Sequence, residues 1–209
     1  MPTAHIDHVI LGAADLERAI DAFERLTGVR PVHGGKHPIG THNALASLGE
    51  QVYLEIIAVQ PGAAPPSDFP DLRNFANPTP IGWAVAGEAE GELRKKLTDG
   101  GFQLTPSMAG SRTTPSGATL RWSTFGLEQP VTDAPFFIDW APEVAHPSAT
   151  SPKGCTLKRL TILGPHTEAL DDLVKAVGLP VQVSKSSREG MRLELGCPKG
   201  PVLFAPAIH

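Results

Sequence analysis

The chain has 209 residues, a formal charge of −4 and a pI near 6.0. Hydrophobic residues make up 41%, enough for a packed core, while no Lys/Arg run builds the basic patch a nucleic acid would need. No apolar stretch is long enough to cross a bilayer. Cys155 and Cys197 lie far apart and fit no zinc or redox spacing, so both are expected to be reduced and buried, a disulfide between them being an open alternative that the spacing does not imply. The start, "MPTAHIDHVIL", lacks the basic, apolar make-up of a secretion signal, and a cytoplasmic protein is the expectation.

In chain order, "HIDHVILG" (5–12) reads as a strand. Asp15 then caps a helix with Leu16, Ala19, Ile20, Phe23 and Leu26 at helical spacing, closed by Gly28. "VRPVH", "THNALASLG" and "QVYLEIIAV" are three further strands, the last two a hairpin turning at Gly49 and Glu50. A Pro- and Ala-rich connection covers 61–80, with one short helix at "DLRNFA". The order then returns: strand "PIGWAVAG", helix "EAEGELRKKLTDGG", strands "FQLTP", "ATLRWSTFG" and "APFFIDWA". After a second linker at 142–154 comes a third copy: strand "TLKRLTILG", helix "HTEALDDLVKAVG", strands "PVQVS", "GMRLELG" and "GPVLFAP". One supersecondary order repeated three times predicts an α+β protein of βαβββ modules at 1–60, 80–141 and 155–206.

Candidate chemistry collects in the first copy. Residues 37–58, "HPIGTHNALASLGEQVYLEIIA", carry His37, His42, Asn43 and Glu55 on what the pattern pairs as strands. Glu55 alternates with Leu54 and Ile56, so it faces either solvent or an interior. Asn43 reads either as a donor to a substrate oxygen or as a tie for the neighbouring turn. His33 and His37 fall in the Gly-rich loop "VHGGKHPIG", where a solvated position is the commoner outcome. That loop matches no nucleotide-phosphate pattern, and His166 with its acidic neighbours reads as a helix start.

The opening "IDHVILGAADLERAIDAFERLTGVRP" resembles the first module of the vicinal oxygen chelate superfamily. With "GGKHPIGTHNALASLGEQVYLEIIAV", "SRTTPSGATLRWSTFG" and "PFFIDWAPEVAHPS", the chain is similar to the glyoxalase-like branch over residues 5 to 150. The resemblance implies a cup made by the first two modules, with the third, degenerate module appended. It also implies inward metal ligands on the first and last strand of a module, here His8 and Glu55. The second module departs from the pattern, with Trp83 where a second His would stand and Asp139 near the place of a second Glu. The third has Arg159 and Phe204 at those places. His42 would complete a two-His, one-carboxylate set, since "THNAL" runs beside "YLE". The implied cofactor is a divalent metal: iron, manganese, nickel or zinc.

The function implied is a metal-dependent lyase, isomerase or dioxygenase acting on a small oxygen-bearing molecule. Glu55 is its base, and Asn43, Arg112, Trp83 and Asp139 touch the substrate. The alternative is a metal-free protein that sequesters small molecules, as drug-resistance members of the superfamily do. The third module's exposed sheet edge further suggests a homodimer.

Overall fold

The computed structural model describes residues 4–67, 70–87, 89–129 and 131–206. The first three residues of the opening stretch and the start of the second expected helix at 88 fall outside the described residues. β1 (Ala4–Gly12) runs into Asp15, whose carboxylate accepts from the Arg18 N–H at 3.0 Å and starts α1 (Leu16–Thr27). Gly28, at φ 82°, ends the helix in the left-handed conformation expected of it. Leu16, Ala19, Ile20 and Phe23 are buried as the spacing predicts. Leu26 is not: it is half exposed, and Thr27 takes the inner position, its hydroxyl bonded to the Phe23 carbonyl.

β2 (Val32–Lys36), β3 (Thr41–Gly49) and β4 (Val52–Val59) follow, then a 3-10 turn at Leu72–Asn74. β5 (Thr79–Gly87), α2 (Glu90–Asp99), β6 (Met108–Thr113), β7 (Thr119–Phe125) and β8 (Phe136–Trp140) repeat the order. Two strands sit later than the sequence suggested. β2 begins at Val32, not Val29. β6 is "MAGSRT", while "FQLTP" contributes one isolated bridge, Leu104 with Leu127. The eight strands close into a barrel in the order β1-β4-β3-β2-β6-β7-β8-β5. The two halves mirror each other, since each first strand pairs with its own fourth in parallel and with the other half's first strand. The closing joint between β2 and β6 is a single pair, Lys36 with Thr113.

A short α3 (Pro147–Thr150) leads to β9 (Thr156–Gly164), α4 (Glu168–Val177), β10 (Gln182–Lys185), β11 (Gly190–Cys197) and β12 (Gly200–Phe204). These strands form a separate sheet ordered β10-β9-β11-β12. The element order of the first two copies is kept, but the strand order is not: the first strand here pairs with the second and third, never with the fourth. The sheet does not extend the barrel. It packs its apolar face on the barrel's outer layer, so that Leu160, Ile162, Leu193 and Phe204 join Phe23, Leu54, Trp83 and Phe137 in one buried cluster. Phe23 and Phe204 stack at 5.7 Å. Each such side chain contributes about 1.5–3 kcal/mol by leaving water. The chain covers this face itself, while β10 and β12 are the edge strands of the sheet.

The cysteines correct another expectation. Cys155 and Cys197 form a disulfide that ties the first residue before β9 to the end of β11. Their separation of 42 residues gave no sign of it; the β9–β11 pairing of Thr156 with Gly196 brings them together. Among the described residues no helix is long and apolar enough to cross a membrane.

Candidate active site

Alternation decides which side chains enter the barrel. On β4, Leu54, Ile56 and Ala58 pack outward against α1, so Tyr53, Glu55 and Ile57 point in. On β3, Ala44 and Ala46 pack outward, so Asn43 and Leu45 point in. Asn43 Nδ2 donates to Glu55 Oε1 at 2.6 Å, and both residues are buried.

β1 does something a regular strand cannot. Its pairing with β5 steps from Ile6 opposite Val85 to His8 opposite Ala84, so Asp7 is the extra residue of a bulge. The bulge lets two neighbours share one side. His8 Nε2 lies 3.6 Å from Glu55 Oε2, and His8 Nδ1 lies 2.6 Å from Asp7 Oδ1. The His8 ring stacks on Tyr53 at 4.6 Å. Asp7 is fully buried, yet its Oδ2 accepts from Trp140 Nε1 at 3.1 Å and meets His146 Nε2 at 2.9 Å. Burial alone would raise its pKa. The hydrogen bonds from His146 and His8 outweigh that and hold the carboxyl well below its usual range.

A loop histidine arrives from the other side. His37 follows β2 in a turn pinned by Gln60, whose amide donates to the His37 and Thr41 carbonyls at 2.9 and 2.8 Å. Its Nδ1 meets Thr41 Oγ1 at 2.9 Å, and its Nε2 lies 3.9 Å from Glu55 Oε1. Burial lowers its pKa, opposed by the Glu55 charge, so the ring is neutral at neutral pH. Arg112 on β6 is 4% exposed and donates from Nη1 to the Gly34 carbonyl. Among the described residues it makes no ion pair. Gly34 is required by this arrangement: a Cβ there would overlap Asn43 Oδ1 and stand 2.5 Å from Arg112 Nη1. Trp122, Trp140 and Phe136 supply an aromatic wall, packed on Ala84, Ala86 and Ile138. Two surface depressions, beside α2 and beside the disulfide, lie outside the barrel and hold none of these residues.

The structure therefore brings together His8, Glu55, Asn43 and Arg112. It leaves out three residues expected with them. His42 sits beside Asn43 on the strand and so faces outward, among Asp15, Glu17, His33 and Lys36. Trp83 is fully buried in the outer layer with its indole N–H on the Asp133 carbonyl; the inward positions of β5 are Gly82, Ala84 and Ala86. Asp139 is exposed on the outer face, and its neighbours Ile138 and Trp140 are the ones that point in. Each is a one-residue error of facing, and in a strand one residue reverses the side. Asp7 and His146 were missed, and His37, expected to be solvated in its loop, is turned in beside Glu55. The only sequence sign of them was their nearness to His8, to the Gly-rich turn and to the linker.

A family model described as "Glyoxalase-like domain" matches residues 6–178. The chain belongs to the glyoxalase-like domain family. A hypothetical protein from Staphylococcus aureus has the same fold, with TM-score 0.71 at 12% identity, over 98% of this chain and 100% of that one. A methylmalonyl-CoA epimerase from Mycobacterium tuberculosis aligns at TM-score 0.44 and 18% identity, over 66% of this chain and 89% of its own. A 4-hydroxymandelate synthase variant from Streptomyces coelicolor aligns at 0.47 and 14%, over 98% and 62%. No curated protein matches the chain in sequence.

Among the described residues no three His, Cys, Asp or Glu side chains stand as a finished metal cage. What the glyoxalase-like barrel offers is two pairs that share Glu55. Atoms each ~2.1 Å from one ion are at most about 4.2 Å apart. The separations of 3.6 Å and 3.9 Å each fall inside that limit, but they run to different Glu55 oxygens, so His8 and His37 are each within reach of an ion shared with Glu55 while the three do not converge on one point as they stand.

Proposed function

We propose that the barrel interior is a metal-assisted active site for a small oxygen-bearing organic substrate, with lyase, isomerase or dioxygenase chemistry. The observation that carries this reading is the approach of two imidazole Nε2 atoms to one buried carboxylate. A divalent ion held by His8, His37 and Glu55 would supply Lewis acidity to a substrate oxygen. The chain's own residues do the rest. Of the carboxylates beside His8, Asp7 is engaged by His8, His146 and Trp140, whereas Glu55 has Asn43 holding its Oε1 in place, which leaves Oε2 facing His8. Such a group is placed to take a proton from carbon beside a carbonyl and to return it. Arg112, buried without a carboxylate partner, suits an anionic substrate group through its planar fork. The aromatic wall of Trp122, Trp140 and Phe136 excludes water from the other side.

The test is metal analysis of protein purified without chelator and reloaded with iron, manganese, nickel or zinc. Wild type is expected to hold near one equivalent, and the His8→Ala, Glu55→Ala double variant none. His37→Ala is expected to weaken loading, whereas His42→Ala leaves it unchanged. No metal in wild type under any loading would overturn the reading.

One observation favours a second reading. The inward face of β5 and β8 carries Gly82, Ala84, Ala86, Ile138 and Trp140, with no acid or imidazole. That half suits a flat apolar ligand held without turnover. Saturable thermal stabilisation by small aromatic compounds, with no metal bound, would support it.

A further inference from the structure

We infer that Asp7 is the positioning residue of this site: it fixes the tautomer of His8, and the linker residue His146, together with Trp140, fixes Asp7. The inference starts from two groups that can only donate, the Ser148 N–H and the Trp140 indole N–H. The Ser148 backbone N–H can only donate, and it points at His146 Nδ1 at 3.2 Å. His146 Nδ1 is therefore the acceptor of its ring, and the ring hydrogen sits on Nε2. That hydrogen faces Asp7 Oδ2 at 2.9 Å. The Trp140 indole N–H, another obligate donor, faces the same oxygen at 3.1 Å. Two donors on one oxygen favour the charged form of Asp7, so its other oxygen is read as an acceptor as well. The contact of its other oxygen with His8 Nδ1 at 2.6 Å then requires the hydrogen on Nδ1. Held so, His8 turns Nε2 inward, toward Glu55.

A neutral imidazole can ligate only through a bare nitrogen. The tautomer fixed here exposes the nitrogen that faces the barrel interior and conceals the other. Oriented partners of this kind typically change metal affinity by ~10–100-fold. The second consequence concerns the chain's architecture. His146 does not belong to the barrel. It lies on the segment that leads to the β9–β12 sheet, just before α3, and that segment is itself held by the Ser47 N–H on the Pro152 carbonyl at 2.8 Å. The His146 ring also packs edge-on against Tyr53 and Trp140, at 5.6 and 5.9 Å. The linker thus completes the shell around His8.

The tautomer is read directly, without metal or substrate, from nitrogen-15 shifts and long-range proton couplings of labelled histidines in the whole protein. Wild type is expected to show His8 hydrogenated at Nδ1 and His146 at Nε2. His8 with its hydrogen on Nε2 would overturn the inference outright, whatever the variants do. Asp7→Ala is expected to move the His8 hydrogen to Nε2. Asp7→Asn, which keeps shape but can also donate, is expected to give a mixture. His146→Gln retains an N–H for Asp7 and should preserve the wild-type His8 signal, whereas His146→Ala should broaden it. An unchanged His8 spectrum in a folded Asp7→Ala protein would refute the positioning role. The effect on metal affinity, a loss of about 10–100-fold in Asp7→Asn, rests on the functional reading above. If wild type binds no metal, that reading fails while the tautomer test still stands or falls by itself.

Discussion

Gly34→Ala probes the site without touching a reacting group. The added methyl would overlap Asn43 Oδ1, lie 2.5 Å from Arg112 Nη1 and 2.9 Å from Leu45 Cγ. Ordinary contact begins near 3.4–3.5 Å, so neighbours must move by about 1 Å. Leu45 points into the barrel and is buried, Asn43 is tied to Glu55, and Arg112 is bonded to the carbonyl of residue 34 itself. None of the three retreats freely. Overpacking of this kind costs about 1–3 kcal/mol. In a chain of this length each kcal/mol lowers Tm by about 2–4 °C, so a fall of roughly 2–12 °C is expected in thermal denaturation. The functional effect should exceed what the stability loss explains. Displacing Asn43 frees Glu55 Oε1, and a hydrogen bond to a charged group is worth about 1.5–3 kcal/mol. Metal or ligand affinity measured by titration calorimetry at 25 °C, where the variant remains folded, should therefore drop by at least tenfold. A variant with wild-type Tm and wild-type affinity would refute the packing argument.

Leu72→Ala should cost about 2–5 kcal/mol in chemical denaturation, because Leu72 is fully buried against Ile10 and Ile57 and seals one end of the barrel. Replacing Cys155 and Cys197 by Ala should lower stability by about 3–4 kcal/mol, from the loop of 42 residues that the bond closes. Reductant should lower the wild-type Tm but leave the double variant unmoved. Asp133→Asn should raise Tm at pH 7. Burial, then the Glu189 charge, raises the Asp133 carboxyl against one N–H from Gly190. The folded chain therefore holds that proton more tightly than the unfolded chain. Stability falls as pH rises from the ordinary carboxylate value through the raised one, and the gain of the Asn variant should vanish at pH 3. Asn also accepts the left-handed φ of 55° found at this position.

Much of the architecture was legible because its signals are local. Asp15 and Gly28 bound α1, the alternation of β4 located Glu55, and the repeated element order announced the barrel's two halves. Residues such as His42, Trp83 and Asp139 were misplaced for the opposite reason. Their identity suited the chemistry, but which face they occupy depends on a register that one residue inverts. Asp7 was hidden more deeply, since regular alternation forbids it from sharing a side with His8 and only the bulge allows it. His37 sits in a turn, where no periodicity speaks. The β10-β9-β11-β12 order shows a further limit. Chain order does not dictate which strands become neighbours, and a third occurrence of the same string folded into a different sheet. The disulfide followed from that sheet and from nothing nearer in sequence.

The unbroken apolar cluster that joins barrel, helices and outer sheet has a thermodynamic consequence. Two bodies that share one interior cannot melt independently, because loosening either exposes the apolar surface of the other. The chain is therefore expected to unfold in a single cooperative step, which equal calorimetric and van't Hoff enthalpies would verify and two separate transitions would refute. A defect introduced near Phe204 is then felt as loss of the whole native population, including the distant carboxylate and imidazoles, and the outer sheet acts as a reserve of stability for a barrel that encloses costly buried charge.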